Sequence, residues 1–192
     1  MVLLDGIGNI REKLKNMLSH DRFLHSLRVT EQAVILARKF GADTRKAEIA
    51  GLLHDCARDL SLTEALNAAV KFDIILDNIT MNSPEIIHAA IGEAIAKYRF
   101  NITDGEILDA IRYHTTGRNG MALLEKIIFI ADYTEPSRDF PGVDEIRNVL
   151  QQSLDRAVLY ALENTLEYLI GKKQLIHPDT VNARNCFYLD KA

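Results

Sequence analysis

The apolar residues of this chain recur three and four positions apart, in stretches opened and closed by helix signals, and this rhythm constrains the fold most tightly. From Asp21 onward, Phe23, Leu24, Leu27, Val29, Ala33, Val34, Leu36 and Ala37 share one helical face that stops at Gly41. Asp21 is the expected N-cap and Gly41 the residue that ends the helix in a left-handed turn. Asp43 caps the next helix, which carries Ala47, Ile49, Ala50, Leu52 and Leu53 up to His54. Ser61-Leu62-Thr63-Glu64 reads as a capping box, in which Ser and Glu satisfy each other's orphan amides, and starts a helix through Ala69 or Phe72. Asn82-Ser83-Pro84-Glu85 starts another, with proline in the first turn, where its missing N–H costs nothing.

Thr103-Asp104-Gly105-Glu106 reads as a second capping box, opening a helix that ends at Tyr113-His114. Leu123 to Tyr133 is strongly apolar, and Val143–Gln152 with Leu154–Ile170 makes two helices or one interrupted helix. Arg11–Leu18 is a short first helix, residues 73–82 a short helix or a loop packed on the core, and 136–142 a turn-rich loop. The stretch His177–Asn185 reads as polar and non-helical. No alternating strand pattern, internal repeat or linker interrupts the series. The expectation is one all-α domain over 1–192, a compact helical bundle with its polar site between helices.

Composition narrows the function classes. With 192 residues, 47% apolar and 26% charged, the chain can bury a real core and is too apolar for disorder. A net charge of -4 excludes a general nucleic-acid binder while leaving room for a local cationic pocket. Two cysteines without a CxxC pair suit a reducing compartment. The segment Met1–Gly6 lacks the apolar core of a signal peptide, and no apolar run approaches the roughly 18 residues of a membrane span. The expected location is cytoplasmic, with neither nucleic acid nor membrane as partner; monomer and homodimer both remain open.

The polar interruptions carry the chemistry. His54-Asp55, His114 and Asp132 each close an apolar helix, whereas His25 and His88 lie within a turn or two of a helix start. In a bundle such positions can converge in one groove. Imidazole plus carboxylate is a ligand set for iron, manganese, zinc or a similar divalent ion. Thiolate is not needed, and Cys56 reads as packing. Four arginines are candidates for an anionic substrate: Arg22, three residues before His25; Arg58, one turn past His54; Arg138, after Asp132; and Arg184 in the tail. Taken singly, Arg22 or Arg184 also fits a solvated surface charge. Thr115 and Gly117 suit a phosphate contact or a helix C-cap equally, and Asn182 suits a base contact or a surface turn.

The ordered set His25, His54-Asp55, His88, His114 and Asp132 resembles the HD-domain superfamily of metal-dependent phosphohydrolases, over about Phe23 to Asp132. A narrower resemblance rests on Arg22-Phe23-Leu24-His25-Ser26, Gly51-Leu52-Leu53-His54-Asp55, His114-Thr115-Thr116-Gly117, and Ile130-Ala131-Asp132-Tyr133-Thr134-Glu135-Pro136 with Arg138. These look like the bacterial symmetrical diadenosine-tetraphosphate hydrolases of HD type. The chain departs from that group at Arg58, where lysine is common, so a planar fork replaces a point charge.

The resemblance implies a divalent metal, iron first, as one or two ions held by His25, His54, Asp55, His88, His114 and Asp132. It implies hydrolysis of diadenosine tetraphosphate to two ADP by metal-activated hydroxide attack on an inner phosphate. Asp55, His88 and His114 are then the expected catalytic residues; Arg22, Arg58, Thr115, Arg138, Asn182 and Arg184 are the expected substrate contacts. The competing readings are an HD phosphohydrolase for nucleoside monophosphates or guanosine alarmones, and a non-catalytic nucleotide-sensing bundle.

Overall fold

The computed structural model describes residues 6–189. Met1–Asp5, on which the signal-peptide reading partly falls, lie outside the described residues. Eleven helices and no strand occur among them: α1 (Gly6–Lys15), α2 (His20–Phe40), α3 (Thr44–Leu53), α4 (Leu62–Lys71), α5 (Asn78–Met81), α6 (Pro84–Arg99), α7 (Gly105–Tyr113), α8 (Leu123–Thr134), α9 (Val143–Gln152), α10 (Leu154–Gly171) and α11 (Pro178–Leu189).

Most helix boundaries follow the caps. Asp43 accepts from the Arg45 and Lys46 amides, Ser61 and Glu64 form the full capping box, and Gly41 adopts φ 80°. Pro84 begins α6, and Ser153 both ends α9 and caps α10, so the pair is two helices. Other boundaries differ from expectation. The first helix begins at Gly6 and stops at Lys15, leaving Leu18 in the following turn. Helix α2 starts one turn-fragment earlier than Asp21, with Ser19 in the N-cap position. At α7 the cap is Asp104, not a box from Thr103; Asp104 takes the Glu106 and Ile107 amides, and Glu106 is engaged by Lys46 across the helix gap.

The tail is the largest correction. Pro178 opens a twelve-residue helix that buries Thr180 and Ala183 against the bundle. Its polar surface hides the few buried positions, because a helix that docks on a narrow stripe needs only a small residue at the point of closest approach. Ala183 is that residue, and its Cβ would lie 3.1 Å from a side chain placed on Gly117, which itself sits at φ 65°. Gly117 is therefore a steric requirement of the fold.

Helices α2, α3, α7 and α8 pack around one another, with α6 against α7 and α10 against α8; α9 and α11 attach through α10. A single cluster of buried apolar side chains runs from Ile10 to Ala183. Helices α2 and α3 approach most closely at Gly51, where an added Cβ would fall 2.9 Å from the Thr30 Cα. This contact brings the end of α3 against the middle of α2. It sets the depth at which His54 and Asp55 meet His25.

Candidate metal centre

His25 comes from the first turns of α2, His54 and Asp55 from the end of α3, and His88 from the second turn of α6. His114 follows α7, and Asp132 lies in the last turn of α8. The four histidines and Asp55 are buried, while Asp132 is partly exposed. Three overlapping groups, His25-His54-Asp55, His54-His114-Asp132 and Asp55-His88-His114, each hold their ligand atoms within 4.8 Å of one another.

Asp55 is at the centre. Its Oδ2 lies 3.6 Å from His25 Nε2 and 3.5 Å from His54 Nε2, and its Oδ1 lies 3.1 Å from His88 Nε2 and 3.6 Å from His114 Nε2. Asp132 Oδ1 is 3.0 Å from His25 Nε2 and 3.9 Å from His54 Nε2. One carboxylate thus faces both halves of the cluster, and the other closes one half only.

The ring nitrogens on the outer side decide what the inner ones offer. His54 Nδ1 donates to the Gly51 carbonyl at 2.7 Å, and His114 Nδ1 donates to the Ile111 carbonyl at 2.7 Å. His25 Nδ1 donates to Glu135 Oε1 at 3.2 Å. Each neutral ring therefore turns an Nε2 lone pair inward. Buried Nε2 of His25 and of His54 has no hydrogen-bond partner, although carboxylate oxygens lie nearby. Lone pairs facing carboxylates repel unless a cation or a proton lies between them. The donor set and its orphaned nitrogens fit a divalent metal.

His88 is different. Its Nδ1 lies 3.5 Å from Arg58 Nη1, a donor, so the proton belongs on Nε2, which faces Asp55 Oδ1 and lies 3.1 Å from His114 Nε2. In this tautomer His88 presents an N–H where the other three present lone pairs.

Protonation equilibria record the same arrangement. Burial opposes charge on Asp55, but His54, His114 and His88 outweigh it and hold the carboxyl well below its usual range. For Asp132 burial is outweighed by His25 and by the Arg138 guanidinium, again lowering the carboxyl. Burial is the largest influence on His54, yet Asp55 and Asp132 together raise it. His88 is lowered to about 4, chiefly by burial. The two carboxylates thus favour positive charge at His54 against the cost of its burial.

Glu135, beyond the sequence-derived set, orients His25. It is 1% exposed in its side chain and accepts from His25, Arg28 Nε at 3.0 Å, and the Ser137 amide and hydroxyl. A carboxylate behind a ligating imidazole fixes its tautomer and raises its basicity. The signal was available: Glu135 follows Asp132 by one turn, within the motif that carries the resemblance. Arg147, also missed, holds the backbone carbonyls of Thr134, Glu135 and Arg138.

The expected cations divide. Arg22 Nη1 contacts Asp55 Oδ2 at 2.8 Å, and Arg138 binds both the carbonyl and Oδ1 of Asp132. Arg138 thereby offsets a carboxylate at the negative end of a helix. Arg58 donates to the Pro84 carbonyl beside His88, and Thr115 Oγ1 lies 3.1 Å from His114 Nε2. Arg184 instead pairs with Glu163 at 3.0 Å, and Asn182 is exposed on α11. Neither lines the two openings beside the cluster. Their helix was expected to be an irregular tail, free to fold over the site, and its docking through Ala183 fixes them elsewhere.

Those openings differ in character. A polar slot of about 400 Å³ is bordered by Arg22, His25, Arg28, Glu135 and Arg138. On the other side, a cleft of about 750 Å³ reaches His114, Thr115, Asp132 and Arg138 and has aromatic walls. A third cavity, of about 760 Å³ between α1, α3 and the α6–α7 connection, contains no cluster residue.

This fold and ligand set define a class, and the chain belongs to the HD-domain family: the family model described as HD domain matches residues 22–137. Among its relatives, the symmetrical bis(5'-nucleosyl)-tetraphosphatase of Bacillus subtilis (strain 168) is 41% identical over 167 residues, covering 87% of this chain and 89% of that protein. The protein of the same name from Halalkalibacterium halodurans is 38% identical over 184 residues, covering 96% and 98% respectively. A crystal structure from Clostridium acetobutylicum, of a predicted HD superfamily hydrolase involved in NAD metabolism, superposes with TM-score 0.92 at 40% identity, covering 95% of this chain and 97% of that one.

Proposed function

We propose that this protein is a metal-dependent hydrolase that cleaves diadenosine tetraphosphate symmetrically into two ADP. The named activity of relatives 38–41% identical over most of their length supports the substrate. The carrying observation in the molecule is Asp55, whose two oxygens face four imidazoles at 3.1–3.6 Å. We assign one ion to His25, His54, Asp55 and Asp132; His88 and His114 either hold a second ion with Asp55, His88 then giving up its Nε2 proton, or contact a phosphoryl oxygen directly. Iron is the metal that the family resemblance favours, with manganese and zinc as its competitors. A bound divalent ion supplies Lewis acidity to phosphoryl oxygens and makes water acidic enough to act as a nucleophile near neutral pH.

The chain's own groups supply position and proton handling. Arg22, Arg58 and Arg138 border the cluster and hold the tetraphosphate, so that an inner phosphorus lies in line with the attacking water. Asp55 would hold the ion and orient that water, its Oδ2 being fixed by Arg22 at 2.8 Å. The His88 Nε2–H points into the same space and donates to a phosphoryl oxygen, and Thr115 adds a hydroxyl beside His114. The bond between the two inner phosphates breaks, and ADP leaves. We read the chain as one catalytic unit acting in the cytoplasm; no helix among the described residues is long and apolar enough to cross a membrane.

The test is product analysis. Metal-loaded protein incubated with diadenosine tetraphosphate is expected to yield only ADP, whereas ATP plus AMP would refute symmetrical cleavage. Asp55→Ala is expected to abolish turnover and lower metal content with near-native helical circular dichroism; normal activity would remove Asp55 from the centre. Turnover of nucleoside monophosphates or guanosine alarmones in place of the dinucleotide would favour the competing substrates. Elemental analysis of anaerobically purified protein identifies the metal.

A further inference from the structure

Helix α8 ends without the usual devices. Glu135, the residue after Thr134, has φ -53° and ψ 151°, so no left-handed residue returns an amide to the last carbonyls, and the last turn holds no basic side chain. That turn carries Asp132 instead, a carboxylate at the negative end of the helix dipole. Arg138 meets the carboxylate, while the carbonyls are met from another element, by Arg147 on α9. Its Nε donates to the Thr134 carbonyl at 3.2 Å, and its Nη2 donates to the carbonyls of Glu135 and Arg138, both at 2.9 Å.

These carbonyls bracket a single turn. Glu135-Pro136-Ser137-Arg138 closes with the Arg138 amide on the Glu135 carbonyl at 2.9 Å, and proline presets the backbone at the second position. The side chains of the turn serve the cluster: Glu135 Oε1 lies 3.2 Å from His25 Nδ1, Ser137 donates to Glu135, and Arg138 reaches Asp132. The backbone of the turn is gripped by Arg147. Its ion pair with Asp144, at 2.8 Å, contributes little, because the Asp144 side chain is 87% exposed. Val143, Ile146 and Leu150 are buried on the same helix and tie α9 to the core, which gives the guanidinium a fixed base.

We infer that Arg147 is a positioning residue for the metal centre: by gripping the backbone of 134–138 it sets where Glu135 holds His25 and where Arg138 holds Asp132. The inference rests on the assignment of His25 and Asp132 to the ion. It adds a residue that acts on both from outside the cluster. The planar fork is what the position requires, since Nε and Nη2 address carbonyls spread along the turn. A lysine keeps the charge but concentrates it at one point, and it cannot span the same three acceptors.

The test is a double-mutant cycle read as manganese affinity, in competition with a chromophoric chelator. Arg147→Lys, Glu135→Gln, the double variant and Asp144→Ala are compared with the native chain. Arg147→Lys is expected to weaken manganese binding by about tenfold, at the lower end of the 10–100-fold usual for lost partners behind a ligand. Because that loss passes through Glu135, the double variant is expected to lose clearly less than the product of the two single losses, whereas independent sites multiply. Asp144→Ala leaves the carbonyl contacts in place and should bind as the native chain does. A lowered thermal midpoint in Arg147→Lys with native manganese affinity would reduce Arg147 to a helix cap and overturn the inference, as would losses that multiply.

The metal-free protein supplies a second readout. The His25 Nδ1 proton resonance, identified by its change in Glu135→Gln, is expected to shift in Arg147→Lys and to stay in place in Asp144→Ala; an unmoved resonance in Arg147→Lys would also overturn the inference. A native chain that binds no manganese, or that leaves the tetraphosphate intact, refutes the metal-dependent reaction, while the resonance still decides the role of Arg147.

Discussion

At the scale of single residues, the centre is organised by what lies behind the ligands. His25, His54 and His114 are locked into one tautomer by Glu135, the Gly51 carbonyl and the Ile111 carbonyl, while Arg58 sets His88 the other way round. Glu135 is the most informative of these partners because it touches no other cluster member. Replacing it by glutamine removes the charge that favours a basic His25 while keeping the shape. Glu135→Gln is expected to weaken metal binding by about 10–100-fold, the usual cost of losing such a partner. Competition with a chromophoric chelator measures this, and an unchanged affinity would limit Glu135 to a structural role with Arg28 and Ser137. The six residues of the cluster were legible in the chain: His54-Asp55, His114 and Asp132 close apolar helices, and His25 and His88 interrupt apolar faces near helix starts. Glu135 was less so, because its partners Arg28 and His25 lie more than a hundred residues away.

At the scale of elements, the crossing of α2 and α3 determines whether the cluster closes. Gly51 lies against the Thr30 backbone, and its carbonyl also holds His54. Gly51→Ala gains about 1 kcal/mol of helix propensity. It also forces a methyl group into backbone, for which overpacking typically costs about 1–3 kcal/mol. With a backbone atom as the neighbour, the cost is expected to exceed the gain. Thermal unfolding should then show a midpoint lower by roughly 2–4 °C per kcal/mol lost. A higher midpoint would mean that the helices separate freely, and the close approach would not be a requirement. Helix starts at Asp43, Ser61 and Pro84 were readable because each cap is a local hydrogen bond or a local φ preference. Thr103 and the tail misled for the converse reason: the true cap at Asp104 leaves Glu106 to a distant lysine, and α11 owes its stability to docking.

At the scale of the whole molecule, the cluster links stability to pH. His88 is lowered to about 4, so the unfolded chain takes up its proton first and stability is lost as pH falls from about 6.5 towards 4. That arm is worth roughly 3 kcal/mol for a shift of this size. Asp55, Asp132 and Glu135 are also lowered, so their contribution is present above the ordinary carboxylate range and disappears below about pH 4. His54 is raised, and its contribution has the opposite sign: complete below about 6.5, it is lost as pH rises through the folded value. The metal-free protein is therefore expected to be most stable near pH 6.5. Thermal midpoints measured across pH 4–9 after chelation test this. Restoring a divalent metal should raise the alkaline side most, because the ion takes the place of the proton on His54; a pH profile unchanged by chelation would contradict the coupling.

The sequence by itself determined the all-α architecture and singled out the six histidine and aspartate residues that the fold brings together, because helix periodicity, caps and the chemistry of imidazole and carboxylate are properties of short segments. It also carried the family resemblance, in motifs that span residues 22–138. Tertiary structure alone decided that Asp55 faces both halves of the cluster, that Arg58 faces the outer nitrogen of His88, and that Arg184 pairs with Glu163 away from the cluster. It also decided that Tyr168, unremarkable in an apolar helix pattern, stands at the mouth of an aromatic cleft. Each of these depends on distances between residues far apart in the chain, set by how closely helices pack, and no local pattern encodes such a distance.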